Sequence, residues 1–253
     1  MGLEQIKVEL IDYMGNDLST VNSARVSFDK ESYFEICDED GCYLEDKDIK
    51  LIKYLADHKH MTPFRHNQIQ LRCHAPIFIA RQLGKHQAGL SWNEVSRRYV
   101  DTPPEFYTPD EWRGRPDGSI KQGSSGVVEM LKEPFAFLDP ITNLNSEGAL
   151  INYGVGESNN IKVLYDDLIY QSQSLYEAML EAGVAPEMAR MVLPQSMMTT
   201  WYWTGNLLAF AHVYKERISE GAQLEARHFA KELDKVIAPL FPVSWKALTG
   251  VKE

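Results

Sequence analysis

The densest run of polar side chains is Arg81-Gln82-Leu83-Gly84-Lys85-His86-Gln87, followed closely by Trp92-Asn93-Glu94-Val95-Ser96-Arg97-Arg98-Tyr99. On a helix, residues four apart share a face, which sets Arg81 beside Lys85 and Gln82 beside His86. If 95–99 is extended, Arg97 and Arg98 point to opposite sides, so one can meet a phosphate while the other braces the fold or a second ligand. The plain alternative is a solvated basic face. A second group lies towards the C-terminus: Arg190 in PEMARMVLP, then Asn206, His212 and Arg217 in a stretch that reads as a helix from near Thr199. Asn206 and Arg217 are eleven apart, only roughly 20° beyond three full turns, so they share a face while His212 is turned well away from it. A ligand common to all three is therefore large, or its site is shared between chains. An arginine on the stripe WYWTGNLLAFAHVYKERI is costly to bury unless a charged partner meets it, and that partner can be a ligand.

Other chemistries fit less well. His58, His60, His66 and His74, with His86 shortly after, suggest a metal, but their spacings match no compact ligand set. The carboxylates of FEICDEDGCYLEDKD at 34–48 do not follow the order of an EF-hand loop. Of the three cysteines, Cys37 and Cys42 sit in that acidic loop, and Cys73 falls in a strand pattern as a small core residue; none has the surroundings of a nucleophile.

The residues that position these groups belong to a chain of 253, 44% apolar and 25% charged, long enough to bury a real core. Lys plus Arg less Asp plus Glu is 26 − 36 = −10, the opposite of a general polyanion binder, so nucleic acid is not an expected partner. An odd cysteine count and a charged start, MGLEQIKVEL, without the apolar length of a secretory leader point to a reducing, cytoplasmic setting. No apolar run approaches the roughly 18 residues of a membrane span.

Periodicity predicts a strand at 6–11, a helix from near Ser19, an acidic hairpin or loop at 34–48 turning at Asp40-Gly41, a helix at 49–58 and a strand at 67–75. Pro76 opens a helix to about 87. The stretch 113–160, rich in Gly, Ser and Asn, reads as loops with at most a short helix near 127–132, either a linker or an active-site lid. Helices follow at 161–182, ended by Gly183, then from Pro186 to Pro194, at 199–217 and at 222–237.

In these residues the chain resembles the flavin-dependent thymidylate synthases, particularly viral and phage-like members. Six ordered blocks carry the resemblance: ARVSF at 24–28, HMTPFRH at 60–66, PIFIARQ at 76–82, WNEVSRRY at 92–99, PEMAR at 186–190, and Asn206 through Arg217 to Gln223. The family's Arg-His-Arg, seven residues, then Ser appears here as Lys85-His86-Gln87 with eight residues before Ser96, and Arg65 stands where many members have Glu. The resemblance implies an α+β fold with a mixed or antiparallel central sheet and a helical C-terminal half. It implies a single domain over 1–253, with 113–160 as a loop-rich insertion, and a homotetramer whose sites are assembled from several subunits. Cytoplasmic then means the host's cytoplasm for a viral member.

The same resemblance implies that Gln82, Glu94, Val95, Ser96, Arg97, Arg98, Arg190 and Arg217 bind dUMP. Ser27, His60, Thr62, Arg65, Lys85, His86, Gln87, Asn206 and His212 match the positions that bind FAD. No metal is implied. Methylenetetrahydrofolate would supply a one-carbon unit, FAD a hydride, and NADPH the electrons that restore the flavin, with no enzyme nucleophile. Arg217 would be the catalytic group, polarising the pyrimidine, and Arg190 with Arg97 or Arg98 would hold the phosphate. Two alternatives stay open: a flavin- and folate-dependent dUMP hydroxymethylase, and a non-catalytic flavin- or nucleotide-binding module.

Overall fold

The computed structural model describes residues 2–39, 41–116, 123–139 and 154–250. In chain order the elements are β1 (Lys7–Met14), α1 (Asp17–Arg25), β2 (Ile36–Asp38), β3 (Gly41–Tyr43), α2 (Asp46–Asp57), β4 (Gln68–Pro76), α3 (Ile77–Leu83) and β5 (Leu90–Glu94). They continue as β6 (Arg113–Gly114), β7 (Ser125–Val127), β8 (Met130–Asp139), β9 (Gly154–Asn160), α4 (Ile161–Glu181), α5 (Pro186–Ala189), β10 (Met198–Asn206), α6 (Leu207–Ile218), α7 (Leu224–Ile237) and α8 (Pro242–Thr249). The expected α+β class with antiparallel sheets holds. The residues fall into two compact units, 1–95 with 198–253, and 96–197.

The first unit is built on an antiparallel sheet in the order β1-β4-β10-β5. Strict alternation makes β4: Ile69, Leu71, Cys73 and Ala75 are all buried on one face. The same holds for β10, where Trp201 and Trp203 are buried and Tyr202 between them is exposed. This corrects the expected helix at 199–217. Thr199, Thr200 and the aromatic run Trp201-Tyr202-Trp203 favour a strand, and the helix begins only at Leu207, where the Asn206 side chain caps it by accepting from the Ala209 N–H at 2.9 Å. Asn206 and Arg217 therefore do not share a helix face.

Helices cover the indole face. Phe229 of α7 lies 5.9 Å from Trp201 and Phe210 of α6 lies edge-on to Trp203 at 5.4 Å, with Ala226, Ala230, Leu233 and Ile237 completing the buried stripe of α7. α8, absent from the expected elements, has Pro242 at its start and borrows a cap: the buried Asp17 carboxylate accepts from the Val243 and Ser244 N–H groups, each at 2.8 Å. Burial nonetheless pushes the Asp17 carboxyl above its ordinary value.

The predicted acidic hairpin is β2–β3, although Asp40 lies outside the described residues. Cys37 and Cys42 lie opposite each other in it, Cα atoms 4.1 Å apart, and form a disulfide that their place in an acidic loop did not signal.

In the second unit the expected loops with a short helix at 127–132 are replaced, where described, by the β6–β7 and β8–β9 pairs. Val127, Val128 and Phe135 favour strands. The rest of that prediction, at 117–122 and 140–153, lies outside the described residues. α4 begins at its Asn160 cap and ends at Gly183 with φ +83°, as its sequence predicts. Ser172 on α4 donates to the Val192 carbonyl at 2.6 Å and so ties down the segment that follows α5. Among the described residues, no helix is long and apolar enough to cross a membrane.

Asp17→Ala strands two N–H groups at the start of α8. It is expected to lower unfolding free energy by about 1 kcal/mol, the worth of a lost helix cap, measured by urea denaturation.

Candidate active site

α3 ends at Leu83, short of the predicted 87, so His86 leaves the helix face it was expected to share with Gln82. The chain turns instead, with His86 N–H donating to the Leu83 carbonyl at 2.9 Å and Leu90 N–H to Gln87 at 3.2 Å. Two glycines let this turn close on the junction of β10 and α6. Gly89 has φ +76°, and a Cβ on it would lie 2.5 Å from Asn206 Nδ2; a Cβ on Gly205 would lie 2.5 Å from the Gly89 carbonyl oxygen. Asn206 N–H donates to that same oxygen at 3.3 Å.

The turn brings His86 to Arg217, in the last turn of α6. Arg217 Nε donates to His86 Nε2 at 3.0 Å and the guanidinium NH2 group approaches the same atom at 2.8 Å, while its other acceptor, the Gln82 carbonyl, is 3.5 Å away. Arginine carries only donors, so His86 Nε2 must be the bare, accepting nitrogen and the ring proton sits on Nδ1. Burial, then the charges of Arg217 and His212, hold the imidazole down at about 4, with Glu216 opposing. His212, which helix geometry turned away from Asn206, stands edge-on to His86 with ring centres 5.6 Å apart. Gln82 donates to Gln223 at 2.8 Å.

A cleft of about 470 Å³ opens beside this pair, lined by Lys85, His86, Gln87, Trp92, Glu94 and Trp203 among others. Register explains the wall: Trp92 faces Trp203 across β5–β10 and stacks on Trp201 at 4.4 Å, and Glu94 faces Trp201. Glu94 accepts from Thr199 Oγ at 2.8 Å and from the Trp92 indole at 3.3 Å, and Val95 continues the sheet through its N–H to the Thr200 carbonyl. The buried Trp203 N–H has no acceptor among the described residues.

Ser27, His60, Thr62 and Arg65 are all exposed. Ser27 lies in a short 3-10 turn after α1, anchored by Arg25, whose guanidinium meets the buried carboxylate of Asp48. Thr62 and Arg65 lie in a second such turn, pinned by buried Pro63 and Phe64. His60 and His58 both stack on Tyr54, at 6.2 and 4.0 Å.

In the second unit, 96–100 is a turn and not extended: the Tyr99 and Val100 N–H groups donate to the Ser96 carbonyl, and the Arg98 N–H to Ser96 Oγ at 3.3 Å. Arg97 is engaged by the Thr102 carbonyl, so the two arginines do not divide across a strand. Arg98 instead approaches Glu187, Nε to Oε2 3.9 Å, and Arg190 Nε donates to the Glu187 carbonyl at 3.4 Å. Arg98 and Arg190 thus converge on Glu187, a residue that sequence reasoning passed over although it stands within PEMAR.

His86 gives a pH signature. The unfolded chain takes up its proton near the ordinary 6.5, whereas the folded protein resists protonation until about 4. Stability that is complete above about 6.5 is therefore lost as pH falls towards 4. An NMR titration is expected to follow His86 protonating near pH 4, and Arg217→Met is expected to raise that midpoint.

A family model described as thymidylate synthase complementing protein matches residues 9–243. The chain is 34% identical over 245 residues to a flavin-dependent thymidylate synthase of Kosmotoga olearia, covering 97% of this chain and 90% of the other. To that of Thermus thermophilus it is 32% identical over 240 residues, covering 95% and 74%. Among solved structures, a UMP/dUMP methylase, PolB of Streptomyces cacaoi, bound with 5-Br dUMP, aligns with a TM-score of 0.72 at 27% identity, covering 97% of this chain and 95% of that one. The chain belongs to the flavin-dependent thymidylate synthase family.

Proposed function

We propose that the chain converts dUMP to dTMP by reductive methylation, taking its one-carbon unit from methylenetetrahydrofolate and its hydride from FAD that NADPH reduces, and that it works as a homotetramer. The observation that carries this reading is the Arg217 guanidinium, half-buried and met by two neutral acceptors. Its charge is free to stabilise a pyrimidine whose ring becomes electron-rich as carbon 5 turns nucleophilic. Thiol catalysis has poor support. Cys73 is fully buried, its thiol pushed well up by burial and by Glu9, and Cys37 and Cys42 are joined to each other.

For the nucleotide, Arg98 and Arg190 are the arginines we assign to the dianionic phosphate, with Ser96 beside them, because Arg97 is occupied within its own loop. Gln82, Glu94 and Val95 are assigned to the same substrate. For the flavin, the residues fit the group. The cleft joins the flat Trp92 indole to the cationic Lys85 and the amide of Gln87, which suits a planar ring with acceptors. Lys85, His86, Gln87, Asn206 and His212, with Ser27, His60, Thr62 and Arg65, would hold it. When bound, FAD supplies the hydride that completes the methyl group.

The test is the mass of the nucleotide formed from dUMP, methylenetetrahydrofolate, FAD and NADPH without oxygen. A methyl-sized gain that vanishes without NADPH is expected. A hydroxymethyl-sized gain makes the chain a hydroxymethylase, and unchanged dUMP beside bound flavin makes it a binding module. Arg217→Ala is expected to lower kcat by about 10²–10³, the cost of losing one donor to a developing anion, with an unchanged circular-dichroism spectrum. Arg98→Ala and Arg190→Ala are expected to raise the KM for dUMP, read from initial rates.

A further inference from the structure

Two arginines in the first unit are drawn out of water in different ways. Arg25 meets the fully buried carboxylate of Asp48, the usual solution for a guanidinium that loses solvent. Arg217 meets an imidazole nitrogen and a peptide carbonyl. A carboxylate in the place of His86 would hold the guanidinium as well and would cancel its charge. A neutral acceptor holds the direction of the N–H groups and leaves the charge for something else.

We infer that His86 is a positioning residue for Arg217: its bare Nε2 aims the guanidinium while leaving its positive charge uncompensated for the substrate. The inference rests on the proposed function for the identity of that substrate. The imidazole is itself braced. Its backbone N–H is bound to the Leu83 carbonyl, and its ring is packed edge-on by His212. The ionisable groups around it are Arg217, His212 and Glu216 on α6, with Lys85 next to it in the chain and Arg81 also lining the cleft. Burial, then Arg217 and His212, keep the ring neutral through the pH range in which it must accept a hydrogen bond. This role is separate from any contact His86 makes with flavin, because it is exerted through Arg217.

His86→Gln and His86→Glu separate the two parts of the inference, since they have the same shape and differ in charge. With rates expressed per bound flavin, the two variants are compared with each other, because both lose any contact His86 makes with flavin while the amide oxygen that His86→Gln introduces can still accept from Arg217. His86→Glu is expected to fall about tenfold or more below His86→Gln, because it neutralises the guanidinium it holds. Equal kcat in the two variants overturns the inference. A second readout needs neither flavin nor turnover: the ¹⁵N shifts of His86 in the unliganded protein at neutral pH are expected to show Nδ1 protonated and Nε2 bare. A proton on Nε2 overturns the inference as surely. If the unchanged protein forms no methylated nucleotide, the functional reading fails, and the ¹⁵N measurement still decides whether His86 is the neutral acceptor of Arg217.

Discussion

β10 carries two indole rings on one face of a central strand, and burying them is the constraint on which the first unit is organised. Trp201 and Trp203 must be covered by helices on their own face and flanked by residues of compatible height in the strands on either side. α7 and α6 provide the cover through Phe229 and Phe210; β4 provides Cys73 and Leu71; β5 provides Glu94 and Trp92. Because Trp92 and Glu94 belong to this register, one wall of the cleft is a direct continuation of the hydrophobic core. The same strand ends in Asn206, so the register of β10 also decides where α6 starts and which turn of α6 carries Arg217.

The site then depends on how polar groups were satisfied at the edge of that core. The 84–90 turn can approach β10 only because Gly89 and Gly205 lack side chains, and that approach brings His86 under Arg217. The outcome is a half-buried cation held by two neutral acceptors beside an aromatic cleft, an arrangement suited to a ligand that gains negative charge. In the second unit a different logic holds: Arg98 and Arg190 are exposed, the first 3.9 Å from the Glu187 carboxylate and the second donating to the Glu187 carbonyl, and exposed contacts of this kind hold their side chains only weakly.

Elements with one strong local signal were legible. β4 showed its alternation, α4 its amphipathic run with Asn160 and Gly183 at its ends, and α7 its apolar stripe. β10 was not, because an apolar stretch that runs straight into a helix has no period of its own to mark the change, and the strands that make it a strand lie more than a hundred residues away. α8 was hidden for a similar reason: its cap is Asp17, 226 residues distant from Val243. At the site, Arg217, His86, Arg98 and Arg190 stood out by type and order. Glu187 did not, since a single carboxylate on a four-residue helix carries no signal until Arg98 is found beside its side chain and Arg190 at its carbonyl.

By itself the sequence determined the chemical inventory and its order: arginines enough for a phosphate and a pyrimidine, a histidine within a polar run, no thiol in a nucleophile's setting, and six blocks in the family's succession. Tertiary structure alone decided the partners. Which arginine is spent on its own loop, which is neutralised by a buried carboxylate, and which keeps its charge beside a bare imidazole nitrogen are not properties of residue type or spacing. Hydrogen bonds at the edge of a core are short-ranged and directional. The groups that make them are brought together by packing across sequence separations of 105 to 131 residues, for Glu94 with Thr199 and for His86 with Arg217.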